Sequence, residues 1–194
     1  MNKIQESENL IRWADQKING LEFKVDGRKE IVAGSLDTAL EHQKAIILLI
    51  AKKYYGSAFS LIRIIFETWV RSLWLNYCAS EQEIEKFKKN KLNKKFYELV
   101  EEVEKVDGYK GGTISKAKKA GWQAMNSFTH SGYTQVERRF GEYSIEPNYD
   151  TEEINEAINF TNATGLLCCL EIAFLANDEQ FSSELLEKIK EIKP

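Results

Sequence analysis

The stretch from Gly56 to Ala79 constrains this chain more than any other. It is rich in large apolar residues, contains no proline, and is long enough for about six turns of helix. Arg63, Glu67 and Arg71 stand inside it, spaced by four, so they line one side of such a helix. Apolar residues fill most other positions, so most of the circumference must face protein or lipid. The charges decide between the two. Each would cost about 2.5–3.5 kcal/mol at the centre of a bilayer, which cancels most of the gain from the apolar residues. The segment is therefore expected to be the buried helix of a soluble protein, with no membrane partner. The opening Met1-Asn2-Lys3-Ile4-Gln5-Glu6 has no apolar signal-peptide core, and the expected location is the cytoplasm.

The rest of the chain allows that helix a bundle to sit in. Pro147 and Pro194 are the only prolines, so little interrupts long helices. With 29% charged and 43% apolar residues, the 194-residue chain has an ordinary globular balance and predicts one helical domain over 1–194. A net charge of -3 excludes a protein that coats nucleic acid through bulk charge, while leaving room for a local basic patch. Cys78, Cys168 and Cys169 are odd in number and two are adjacent, which predicts reduced, buried thiols.

The predicted fold class is all-α, an irregular helical bundle. Ile4, Leu10, Ile11, Ala14 and Ile18 place a first amphipathic helix over 1–18. Leu21, Phe23 and Val25 alternate before Asp26-Gly27, so residues 21–32 form either one short β-hairpin or a packed loop. A second helix is expected from Leu36 to Tyr54 with Ser35 as its cap, and a third from Ser57 to Ala79. Ser80 with Glu83, and Asp150 with Glu153, have the spacing of capping boxes. Between them lie a charged segment to Val106, glycine-rich loops at 107–112, a helix from Ser115 to Phe128 and an irregular stretch over 133–149. A long helix to Ala176 and a last one from Phe181 to Ile192 complete the chain. The central bundle is expected from the second, third and 151–176 helices, with the third most buried.

Chemistry-bearing residues are few. Two arginines around one glutamate leave net positive charge on the third helix. That makes Arg63–Glu67–Arg71 either a structural ion network or an anion site, suited to phosphate or carboxylate. His42 and His130 are the only histidines. His42 opens an apolar helix, where a histidine often satisfies a local bond. His130 lies in the turn Asn126-Ser127-Phe128-Thr129-His130-Ser131-Gly132, dense in hydrogen-bonding groups, and is expected to share a pocket with the charge row. Glu171, set among apolar residues, needs a partner, and Arg63 or Arg71 is expected to supply it. Lys86, Lys88, Lys89, Lys91, Lys94 and Lys95 form a basic run, read as a solvated face or a nucleic-acid patch. The spacings of metal ligands, a nucleophile elbow, a dinucleotide fingerprint or a phosphate loop do not occur, so no cofactor and no metal is expected.

Four segments also carry a resemblance: 39–45, Tyr55–Arg63, Phe66–Leu75 and Asn126–Gly132. Over roughly residues 36–176 the chain resembles a bacterial family of uncharacterised helical proteins. More distantly it is similar to the HEPN superfamily (higher eukaryotes and prokaryotes nucleotide-binding). Those proteins are small helical bundles, often dimeric, and many are metal-independent ribonucleases of toxin–antitoxin and phage-defence systems. Active members carry Glu-x-x-x-Lys/Arg on one helix and, on another, an arginine separated from a histidine by four to six residues. Glu67-Thr68-Trp69-Val70-Arg71 fits the first pattern, and His130 stands for the histidine of the second. The window for its arginine holds Gln123, Ala124 and Met125 instead. The resemblance implies a homodimer acting on RNA or paired with an antitoxin-like protein. His130 would be its general base or acid, Arg71 or Arg63 would stabilise the transition state, and Glu67 would hold an arginine. The other expectation is a non-catalytic dimerisation or partner-binding protein, or a binder of small molecules or nucleotides. A homodimer is further expected from Trp69 and Trp74 beside the charge row.

Overall fold

Every expected helix forms; the differences lie at helix ends and in the stretch expected to be irregular, where residues 133–137 form a further short helix. A computed structural model describes residues 2–21 and 27–192. Among these the helices are α1 (Lys3–Ile18), α2 (Gly27–Ala51), α3 (Tyr55–Tyr77), α4 (Glu81–Lys88), α5 (Phe96–Val103), α6 (Thr113–Thr129), α7 (Tyr133–Glu137), α8 (Thr151–Ala176) and α9 (Glu179–Glu191). No strand occurs among the described residues, only an isolated bridge between Phe140 and Ile145. Much of the expected hairpin falls on 22–26, outside the described residues. Its Ile31-Val32 arm lies within α2.

Capping explains several boundaries. The Asn2 side chain accepts from Ile4 N at the start of α1, and Asp178 accepts from Phe181 N at the start of α9. Ser80 and Glu83 form the expected reciprocal box at α4. The Asp150 box does not form, because the Glu153 carboxylate is taken by Arg138, whose Nε donates to Oε2 at 3.0 Å. α2 starts at Gly27 rather than Leu36, and Ser35 lies inside it. Val32, Leu36 and Ala39 are buried, and that burial carries the helix through Gly34 in spite of glycine's low helix propensity. α3 likewise starts before Ser57, at Tyr55. Lys53, with φ of +61°, turns the chain back between α2 and α3.

α2, α3 and α8 pack on one another as the expected central bundle. α1 and α9 cover α8, while α5 and α6 lie against α3. Leu36, Ile46, Ile65, Phe66, Leu73 and Trp74 are each 0–1% exposed. Burying such a side chain contributes about 1.5–3 kcal/mol. α8, rather than α3, holds the larger buried set, with fourteen residues against eleven. α2 approaches α8 through Gly165, where a Cβ would lie 2.2 Å from the buried Gln43 side chain. α8 is also the one described helix long and apolar enough to cross a membrane by length and composition, yet 72% of that window is buried inside the fold. It is the core helix of the bundle.

Cys168 and Cys169 are buried free thiols, as their apolar setting predicts. Burial pushes Cys168 well above the ordinary thiol range and Cys169 up to about 12, so both are held as thiols. Cys78 is free and partly exposed.

Candidate functional site

A polar joint fixes the end of α6 against the start of α3. Ser60 Oγ lies within reach of two acceptors, Gly56 O at 2.8 Å and Phe128 O at 2.9 Å. Thr129 Oγ1 donates to Met125 O at 2.8 Å and approaches Ser60 O at 3.2 Å. From α7, the Gln135 amide reaches Gly56 O and Ser60 Oγ, each at 3.3 Å. Phe59 packs on Phe128 with ring centroids 5.0 Å apart.

The turn after α6 then aims His130. Ser131 takes the left-handed conformation, with φ of +54°, and Gly132 N donates back to Ser127 O at 2.7 Å. This is a Schellman closure of the helix. Gly132 is needed for close approach, since a Cβ there would lie 3.0 Å from Ser127 Cα and 2.5 Å from Ser127 Oγ. His130, at the helix cap, is left exposed above α3.

There it meets the charge row. Arg63 Nη1 lies 2.7 Å from His130 Nε2, across 67 residues of sequence. Arg63 Nε donates to Glu67 Oε1 at 2.7 Å. A guanidinium has only donors, so the contact is a hydrogen bond when Nε2 offers its lone pair and the ring proton sits on Nδ1. The Arg63 guanidinium also stands 4.8 Å from the Trp122 ring, which stacks on Phe96 at 4.8 Å with the planes within 4°. The arginine is thus held by a carboxylate, a histidine and an aromatic ring while 20% of its side chain stays open to solvent. A fixed guanidinium beside an exposed imidazole suits an oxyanion that arrives from outside, phosphate above all.

Three of the four expected site residues therefore come together: His130, Arg63 and Glu67. Arg71 lies two turns further along α3 and makes no hydrogen bond or ion pair among the described residues. Glu67 pairs with the arginine before it, not with the one after it in Glu67-x-x-x-Arg71. Arg138 is committed elsewhere, to Glu153.

Glu171 corrects an expectation. It is 2% exposed, and its oxygens accept from the hydroxyls of Tyr77, at 2.7 Å, and Tyr109 rather than from Arg63 or Arg71. Burial raises its carboxyl above the ordinary range, against the pull of the two phenols and Asn76. Burial and the Glu171 charge together raise both tyrosines, which remain donors. The glycine-rich loop at 107–112 is the anchor that delivers Tyr109.

The lysine run also divides. Lys94 bridges Glu83 at 2.9 Å and Glu102 at 2.8 Å with only 16% of its side chain exposed, and it sits 4.5 Å from the Trp74 ring. Trp74 Nε1 donates to Glu102 Oε2 at 2.6 Å. Lys94 is a structural cation, and Lys88 pairs with Glu85. Trp69 and Trp74 are 6% and 0% exposed within one chain, so neither offers a surface for self-association.

Sequence reasoning passed over Trp122 and Lys118. The available signal was the four-residue spacing of Lys118, Trp122, Asn126 and His130 along one side of α6. Two surface depressions, one at Gly20, Leu21 and 176–179 and one at Glu83, Lys91 and Lys94, lie away from His130. Among the described residues, no group of three or more His, Cys, Asp or Glu is placed to hold a metal ion.

Residues 36–193 match the model of a family of unknown function (DUF6988), and the chain belongs to that family. No curated protein and no solved structure matches it.

Proposed function

We propose that the His130–Arg63–Glu67 cluster is the centre of a metal-independent ribonuclease, related at a distance to the HEPN proteins of bacteria. The reading rests on one observation: Arg63 Nη1 lies 2.7 Å from His130 Nε2 while Glu67 holds the same guanidinium. The second motif lacks its arginine in sequence, and in this reading Arg63, beside His130, takes over that role. Arg63 also replaces Arg71 as the arginine that Glu67 positions.

In this mechanism a phosphate of the RNA takes N–H donors of Arg63, and His130 Nε2 is released to accept a proton. The imidazole removes the 2′-hydroxyl proton, and the 2′-oxygen attacks the adjacent phosphorus. Arg63 neutralises the charge that builds on the equatorial oxygens. The bond to the 5′-oxygen breaks, and the proton held by His130 passes to that leaving oxygen. The products are a 2′,3′-cyclic phosphate and a 5′-hydroxyl, with no net change in protons. A toxin–antitoxin or phage-defence role in the cytoplasm, with an antitoxin-like protein as regulator, fits an intrinsically active nuclease and belongs to the proposal.

The test is cleavage of end-labelled RNA by the purified chain in excess chelator, with products examined for cyclic phosphate. Loss of one general acid–base group costs about 10²–10⁴ in rate. His130→Ala and Arg63→Ala should each fall by that order while melting like the parent. Cleavage that is absent in the parent, or unchanged in His130→Ala, refutes the reading.

A second reading, a partner-binding protein or homodimer, is favoured by a different observation. Tyr133, Phe140, Tyr143 and Ile145 follow the His130 turn and are 71%, 50%, 92% and 81% exposed. Phe140 and Ile145 are paired across a β-bridge, and contiguous exposed apolar surface marks interaction sites. Light scattering of the parent and of a Tyr143→Ser/Ile145→Ser variant tests it. A parent that is monomeric at micromolar concentration counts against the homodimer.

A further inference from the structure

The surface beside His130 continues as a strip in which cations alternate with aromatic rings. From His130 it passes to Arg63, then to Trp122, 4.8 Å from the guanidinium. Lys118 Nζ lies 5.6 Å from the Trp122 ring and 6.0 Å from the ring of Tyr97. Lys95 Nζ lies 6.0 Å from the other end of the strip, the same Tyr97 ring. Three helices build it: α3 supplies Arg63, α6 supplies Lys118, Trp122 and the His130 cap, and α5 supplies Tyr97 with Lys95 at its N-cap. Along α6 alone, Lys118 to His130 spans about 18 Å.

Two features set the strip apart from an ordinary solvated face. Neither Lys95 nor Lys118 forms an ion pair among the described residues, and both stand over an aromatic ring, whereas Lys88 pairs with Glu85 and Lys94 bridges two carboxylates. Tyr97 is 45% exposed although it sits in the first turn of α5 beside the partly buried Phe96. Phe96 already covers Trp122 by stacking, so Trp122 serves as a wall under the cations and Tyr97 is the free ring.

We propose that this strip binds an unpaired polynucleotide strand, with a base stacked on Tyr97, phosphates on Lys95 and Lys118, and the next stretch of backbone led to Arg63. Single strands are recognised by this combination: aromatic faces hold bases of any sequence, and cations between them track the phosphates. A duplex keeps its bases stacked on one another and offers Tyr97 no face. The identity of the strand as RNA rests on the ribonuclease reading, while the strip rests on its own geometry.

The experiment separates the two. Fluorescein-labelled 2′-O-methyl oligouridine of twelve residues, which has no free 2′-hydroxyl to attack, is titrated with the full chain and followed by anisotropy. Deoxythymidine of equal length and a duplex of equal length are compared. The strip requires binding of the single strands and at least several-fold weaker binding of the duplex. Tyr97→Ala should weaken single-strand binding about five- to hundredfold, with Tyr97→Leu between it and the parent. Lys95→Gln/Lys118→Gln should reduce the slope of log affinity against log salt by about 1.4. All substituted side chains lie at the surface, and equal melting temperatures verify the fold. Binding with these dependences but no RNA cleavage by the parent upholds the strip and refutes the nuclease. Cleavage whose KM is unchanged in Tyr97→Ala and Lys95→Gln/Lys118→Gln overturns the strip alone. Binding of duplex as tightly as single strand, or of no oligonucleotide, also overturns it.

Discussion

Tyr109→Phe tests whether the buried carboxylate of Glu171 ties the loop before α6 to the core. The substitution keeps the ring and removes one hydroxyl, the donor to Glu171 Oε1. Tyr77 remains on Oε2 at 2.7 Å. A hydrogen bond to a charged group contributes about 1.5–3 kcal/mol, so a loss of about 2 kcal/mol is expected near neutral pH. For a chain of this length that lowers Tm by about 4–8 °C. The pH dependence sharpens the test. Burial holds the Glu171 carboxyl above its unfolded value, so the folded chain binds this proton more tightly than the unfolded chain does. Its contribution to stability is therefore greatest below the unfolded carboxyl range, about 4.3, and declines as pH rises through the raised folded value. Removing a donor to the ionised form raises that value further, so the gap between Tyr109→Phe and the parent should widen as pH increases. Glu171→Gln cannot ionise and should remove this part of the slope. The assay is thermal melting followed by helical circular dichroism from pH 4.5 to 8. A Tyr109→Phe curve that overlays the parent throughout, or a gap that narrows as pH rises, refutes the reasoning.

Gly132→Ala should cost about 1–2 kcal/mol, because its Cβ meets Ser127 and opens the turn that aims His130; urea unfolding measures it. Glu67→Gln removes a partly exposed i,i+4 ion pair and should shift stability by no more than about 0.5 kcal/mol, yet it should lower RNA cleavage by freeing Arg63. Burial opposes ionisation of Glu83, but the Ser80 backbone, Lys94 and the Ser80 hydroxyl outweigh it and hold the carboxyl at about 2. Its stabilisation is present above the unfolded range and lost as pH falls toward about 2, so Lys94→Met should flatten acid unfolding there, as read by melts at pH 2–5.

The two kinds of information divide along physical lines. Helix positions were legible because helical period and capping act within a few residues: Ser80 and Glu83 cap α4 regardless of what packs on it. The row of Arg63, Glu67 and Arg71 was legible for the same reason, as was the polar turn around His130. Where local signals competed with burial, burial won. α2 runs back to Gly27 because Val32 and Leu36 enter the core, and Ser35, the expected cap, lies inside the helix. The site itself is non-local. Whether Glu67 meets Arg63 or Arg71 depends on what else each guanidinium touches, and only the packing of α6 on α3 brings His130 and Trp122 to Arg63. Glu171 shows the same limit most sharply. Its sequence setting demanded a polar partner, but a carboxylate accepts equally from arginine or phenol, and tertiary structure alone decided for Tyr77 and Tyr109.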